Sequence, residues 1–179
     1  MVYASVFVLW SLCAYGIHRL GHFNHPFNPM FRIHMKHHKV QYGRGNHRYH
    51  WPECAHFFLW FGDFKASADV WITLLLPAIT LSIIFQETNY FMIIIVYLYE
   101  VFLSENLLDH NPEVDTIFDI LFAVGVFHLR HHKSPAFNFG LYTNLWDHIF
   151  LTARYGSSRK LESSFERMSQ NLSSVGLPA

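Results

Sequence analysis

The feature that most restricts how this chain can fold is a five-residue pattern used twice. His34-Met35-Lys36-His37-His38 and His128-Leu129-Arg130-His131-His132 both read HxxHH, in widely separated segments. On a helix, positions i, i+3 and i+4 lie on one side within an arc of about 100°, so each pattern presents three imidazoles together. His18-Arg19-Leu20-Gly21-His22 presents two more. With 14 histidines in 179 residues, chance supplies roughly 0.1 HxxHH per chain, and two of them far more rarely. Low-complexity histidine tracts that bind metal adventitiously lack such helical phasing. The fold therefore has to bring eight imidazoles from three segments together. One five- or six-coordinate ion cannot use eight, whereas two ions can, with positions left for oxygen or water.

The apolar segments say where such a site would sit. Residues 1–17 carry no charged side chain and run directly into His18-Arg19. At about 1.5 Å per residue they cover roughly 25 Å, close to a hydrocarbon core of about 30 Å. They have neither the basic start nor the cleavage site of a secretory signal, so a membrane helix is expected. Composition agrees: apolar residues make up 51%, aromatics 18% and charged residues 15%, against about 25% charged in a soluble domain. Val70 to Phe85 and Tyr90 to Leu103, joined by Gln86-Glu87-Thr88-Asn89, predict a helical hairpin with Pro77 as a tolerated kink. The run from Thr116 to Phe127 contains Asp119 and is too short to cross. It is expected to be an interfacial or re-entrant helix that delivers His128 to the surface. Residues 156–179 are polar and Ser-rich and read as a mobile tail, leaving 1–155 as the catalytic unit.

One span before His18 and an out-and-back hairpin place residues 18–69 and 105–179 on the same side. Arg19, Lys36, Lys39, Arg44, Arg48, Lys65, Arg130 and Lys133 lie on that side, and the hairpin turn offers only Glu87. The excess of positive charge marks that side as cytoplasmic and puts the N-terminus outside. The expected fold is all-α: an integral membrane helical bundle with a histidine-rich helical cap on its cytoplasmic side.

Other chemistries fit less well. Lys plus Arg balance Asp plus Glu at 13 each, and no basic stripe interleaves with aromatics, so nucleic acid is excluded as a partner. Cys13 and Cys54 have neither zinc nor redox spacing. Imidazole ligands suit zinc, copper, nickel or iron, and spacing alone does not choose among them.

The order HxxxH, HxxHH, apolar hairpin, HxxHH resembles the fatty acid hydroxylase/sterol desaturase superfamily of membrane histidine-box di-iron oxygenases. His50-Trp51-Pro52-Glu53 looks like the family's stretch after the second box. Asn138-Phe139-Gly140 and Trp146-Asp147-His148-Ile149-Phe150-Leu151-Thr152 look like its ending, with His148 where arginine is usual. The resemblance implies His18, His22, His34, His37, His38, His128, His131 and His132 as metal ligands. His110 falls where relatives carry a further histidine and is a ninth, with Asn106 holding a water or standing behind the ligands. It also implies two iron ions, although zinc can occupy such a site in a purified sample.

The reaction implied is oxygen-dependent hydroxylation or desaturation of a lipid, such as a sterol or a sphingoid or fatty acyl chain. No dinucleotide, flavin or haem-binding motif occurs, so electrons have to come from a separate cytochrome, ferredoxin or reductase. The setting would be the endoplasmic reticulum in a eukaryote and the inner membrane in a bacterium. Relatives usually carry one more helix before the first box. This leaves either a minimal member or a first helix paired with a neighbouring protomer in a homo-oligomer.

His25, His47, His50, His56 and His148 share no such register and are expected to pack or hydrogen bond. Glu53 and Asp147 are candidates for orienting ligand imidazoles through the second ring N–H. Trp146, Phe137 and Phe139 are candidates for a substrate path. The rival function is a membrane metal-binding protein or carrier without oxygenase activity. It would need ionisable groups along a path across the bilayer, which the uncharged helices do not offer.

Overall fold

The computed structural model describes residues 2–39, 51–86, 90–114 and 121–155, which are helical and contain no strand. Seven α-helices occur among them: α1 (Val2–Gly21), α2 (Pro29–His37), α3 (Phe64–Val70), α4 (Leu76–Ile84), α5 (Phe91–Phe102), α6 (Val126–Lys133) and α7 (Leu145–Ile149). A π-helical turn, Trp71–Leu75, joins α3 to α4, and a second, Ser104–Asp109, follows α5.

In α1 every fourth residue from Val6 is buried: Val6, Trp10, Ala14 and His18 are each at most 1% exposed. Side chains four apart stack along one helix face, so the stripe that packs the helix carries His18 into the interior. Trp10 and Ala14 meet Leu74, Ala78 and Leu81 of the long helix, Met92 and Val96 of α5, and Tyr142. The Trp10 indole N–H donates to the Leu74 carbonyl at 2.9 Å inside this core.

Phe64–Ile84 is the one helix among the described residues long and apolar enough to cross a membrane; Phe91–Phe102 is a shorter apolar helix. The long helix begins six residues before the expected start at Val70. Asp63 caps it, Oδ1 accepting from the Lys65 and Ala66 backbone N–H at 2.8 and 3.1 Å, which satisfies donors that a first turn leaves open. Ser67 closes its own polar group locally, donating to the Asp63 carbonyl. Pro77 follows the π turn by two residues, as the second residue of α4. A proline lacks the N–H of its own turn and crowds the preceding carbonyls, and widening that turn accommodates it without breaking the helix.

The expected helix from Thr116 to Phe127 is corrected over its described part. Residues 121–125 are not helical, and α6 starts at Val126, after Gly125. Gly125 has φ +57°, and a Cβ there would meet the Val114 carbonyl oxygen at 2.1 Å. Only glycine allows this turn and this close approach. The hairpin turn at residues 87–89, residues 116–120, Arg44, His47, Arg48, His50, the tail from 156 and the Asn106 side chain lie outside the described residues.

Candidate metal centre

The first two boxes are held by local chemistry at the ends of α1 and α2. Pro29 opens α2 with its fixed φ, and Asn28 caps it through Oδ1 to the Met30 N–H at 3.1 Å. The Asn28 amide ties back to the end of α1, donating to the Leu20 and Phe23 carbonyls at 2.7 and 2.8 Å. Gly21 lets α2 approach closely, since a Cβ there would come within 3.0 Å of the His34 side chain. His18/His22 and His34/His37/His38 are thereby fixed against each other.

All nine histidines expected at the site converge, and they do so in two groups. His18, His22, His34, His38 and His131 form one; His37, His110, His128 and His132 form the other. Within each group one nitrogen per ring lies within 4.8 Å of all the others. Each HxxHH divides in the same way: the i and i+4 members go to one group and the i+3 member to the other. His34 and His38 join the first group while His37 joins the second; His128 and His132 join the second while His131 joins the first. The groups touch, with the His38 and His132 rings stacked at 4.4 Å between centroids.

The hydrogen bonds on the outer ring nitrogens fix the tautomers. His18 Nδ1 donates to the Phe139 carbonyl at 2.6 Å and His131 Nδ1 to the Phe137 carbonyl at 2.7 Å. His34 Nδ1 donates to Asp69 Oδ2 at 2.8 Å. A carbonyl or carboxylate only accepts, so in the neutral rings Nε2 carries a lone pair. Those lone pairs point at one another. His22 Nε2 lies 2.9 Å from His131 Nε2 and 3.0 Å from His34 Nε2, and its single proton can serve only one of them. His18 Nε2 is buried with no hydrogen-bond partner among the described residues.

Burial also keeps these rings neutral. Loss of solvent is the main cause that lowers His22, His37 and His38 from the ordinary 6.5 to about 4. It pulls His34, His128, His131 and His132 well below that value, with neighbouring imidazoles adding to the effect. A nest of buried neutral lone pairs repels itself and is suited to a cation.

The spacing indicates the coordination such a cation would find. With metal–nitrogen bonds of about 2.1 Å, ligands at right angles put nitrogens about 3.0 Å apart, and tetrahedral ligands put them about 3.4 Å apart. The Nε2 pairs His34/His38, His128/His132 and His110/His132 stand at 3.0, 3.1 and 3.2 Å. Imidazole nitrogens at this spacing fit a metal ion in each group, and the spacing does not choose which metal.

Of the residues expected behind the ligands, Asp147 is fully buried but meets no imidazole. It accepts the backbone N–H of Phe139 and Gly140 and the Thr152 hydroxyl, at 2.8, 2.6 and 2.6 Å. The loop it braces offers the Phe139 carbonyl to His18. Glu53 is exposed, and its backbone carbonyl accepts from His56 N–H. The carboxylate that does touch a ring is Asp69, which the sequence reading left at the edge of a polar stretch. Its signal was an ionisable side chain at the head of an apolar helix.

His25, His56 and His148 lie outside both groups. His25 stacks on Phe23, His56 on Phe61, and His148 meets the Tyr155 hydroxyl at 2.7 Å. A cavity of about 170 Å³ opens onto His18, His34, His37, His110 and His128, with Val70, Leu74 and Leu141 among its apolar walls. Phe137, Phe139 and Trp146 are not among its lining residues. The Phe139 ring packs on His22 and His131 instead, each 5.5 Å between centroids, and Trp146 Nε1 donates to Ser11 Oγ at 3.0 Å.

The model of the family described as fatty acid hydroxylase matches residues 3–152. No curated protein and no solved structure matches the chain.

Proposed function

Because the chain belongs to the fatty acid hydroxylase family, within the fatty acid hydroxylase/sterol desaturase superfamily, we propose that it is a membrane non-haem di-iron oxidoreductase that hydroxylates or desaturates a lipid. The observation that carries this reading is the convergence of nine imidazoles, five of them buried and four half-buried, into two adjoining groups. When bound, two iron ions would supply the reduction of dioxygen and the removal of hydrogen from an unactivated C–H bond.

The residues of the chain do the rest. Phe137, Phe139 and Asp69 hold protons on outer ring nitrogens and turn Nε2 inward. The cavity presents Val70, Leu74 and Leu141 beside His37, His110 and His128, with the carboxylates of Asp69, Glu100 and Asp109 also on its wall. Asn106, four residues before His110 in the chain, would support the four-imidazole position through a water.

Outward-facing Val8, Leu9, Ile79, Ile83, Ile94 and Leu98 are exposed on α1, α4 and α5, which supports a bundle immersed in lipid. In this reading α1, the long helix and α5 cross, and the histidine cap faces the cytoplasm. There Lys36, Lys39 and Lys133 would meet a separate electron donor. One added oxygen or double bond in the lipid profile of cells that coexpress the chain with a reductase is the expected result, together with about two irons per chain after anaerobic purification. Metal content that His131→Ala leaves unchanged refutes the centre. Bound metal with an unchanged lipid profile favours the carrier.

A further inference from the structure

The two histidine groups are not equivalent. Among the described residues the first has five imidazoles and the second four. In the first, three rings are pinned from behind: His18 and His131 by backbone carbonyls and His34 by a carboxylate. In the second, His128 Nδ1 is buried with no hydrogen-bond partner among the described residues. Asp69 is itself held, with the Thr73 hydroxyl on its other oxygen at 3.3 Å, and is 8% exposed. An acceptor behind a ligating imidazole fixes the ring and raises its basicity, and a carboxylate does so more strongly than a carbonyl.

We propose that metal loading is ordered: the five-imidazole position fills first and more tightly, and Asp69 is the positioning residue that sets its affinity through His34. This rests on the metal-centre reading above and deepens it. Asp69 sits on α3 and His34 on α2, so the first ion also ties the long helix to the cap. The second position, completed by His110 after α5, then closes against a framework already in place.

Calorimetric titration of the metal-stripped full chain in detergent with Co²⁺ under argon tests this. Two resolved phases of one equivalent each are expected, the first at least about tenfold tighter. Asp69→Asn should weaken the tight phase about 10- to 100-fold, as loss of an outer-shell partner does, and leave the weak phase in place. His110→Ala should remove the weak phase alone. If Asp69→Asn loses its helical circular dichroism, Thr73→Val is read in its place and should weaken the tight phase less. Two equal equivalents in the wild type, or a variant at Asp69 or Thr73 that moves both phases alike or neither, overturns ordered loading while leaving the centre intact. Absence of any binding by the wild type overturns the metal centre itself.

Discussion

The carboxylate of Asp147 receives the backbone N–H of Gly140 at 2.6 Å, and through that bond a residue far from any metal position governs a ligand. The same carboxylate holds Phe139 N–H, and the Phe139 carbonyl fixes His18. Asn138 completes the brace at φ +58°, its amide bonded to the Phe127 and Arg154 carbonyls.

Asp147→Ala leaves three donors, Phe139 N, Gly140 N and Thr152 Oγ1, without their acceptor. A buried donor without a partner costs about 1–3 kcal/mol, so a loss above about 2 kcal/mol is expected in denaturant unfolding. Metal content should fall with it, and Asp147→Asn, which keeps one acceptor oxygen, should recover part of both.

Gly125→Ala forces a side chain into φ +57° and onto the Val114 carbonyl. Backbone strain of this kind costs of order 1–3 kcal/mol before the clash is counted. The start of α6 then has to move, and His128, His131 and His132 with it. The expected readout is a lower melting temperature together with reduced metal at both positions.

Trp10→Phe keeps the aromatic contact with Tyr142 but removes the N–H from the Leu74 carbonyl. A buried hydrogen bond of this kind contributes about 0.5–1.5 kcal/mol net. Thermal unfolding should register that loss while metal stoichiometry stays at the wild-type value, because Trp10 touches no histidine of the site.

Acid should destabilise the metal-free protein. Burial lowers His22, His37 and His38 from 6.5 to about 4, so between these values the unfolded chain binds more protons than the folded one. Stability is then complete above about pH 6.5 and falls as the pH drops towards 4. Melting temperatures of stripped protein between pH 7.5 and 4.5 should be flat at the upper end and decline below 6.5; a rise on acidification would contradict the assignment. Bound metal should leave in the same window, since protons compete for the same nitrogens.

The convergence of the six box histidines was legible because HxxHH repeats in helical phase, and phase is a property of sequence; His110 came from the family resemblance alone. The division of the set between two positions was not legible. Residues 34, 37 and 38 share one helix face, but which member meets which partner depends on how α2 and α6 are packed. Asp69 was missed because it lies 35 positions from His34, a separation that only tertiary structure closes. Glu53 was chosen from a motif and proves exposed, whereas Asp147, chosen the same way, is buried and works through the loop at Phe139. The long helix was read as starting at Val70 because its first turn is polar. The Asp63 cap and the locally bonded Ser67 show how that polarity is absorbed.

The alternating division of the two HxxHH boxes has an engineering consequence. α2 and α6 each serve both positions, so removing either helix, or rotating it by one residue, dismantles both at once. A variant that loses one group alone has to be made one histidine at a time, at His18 or His22 for one group or at His110 for the other, rather than by altering a whole helix.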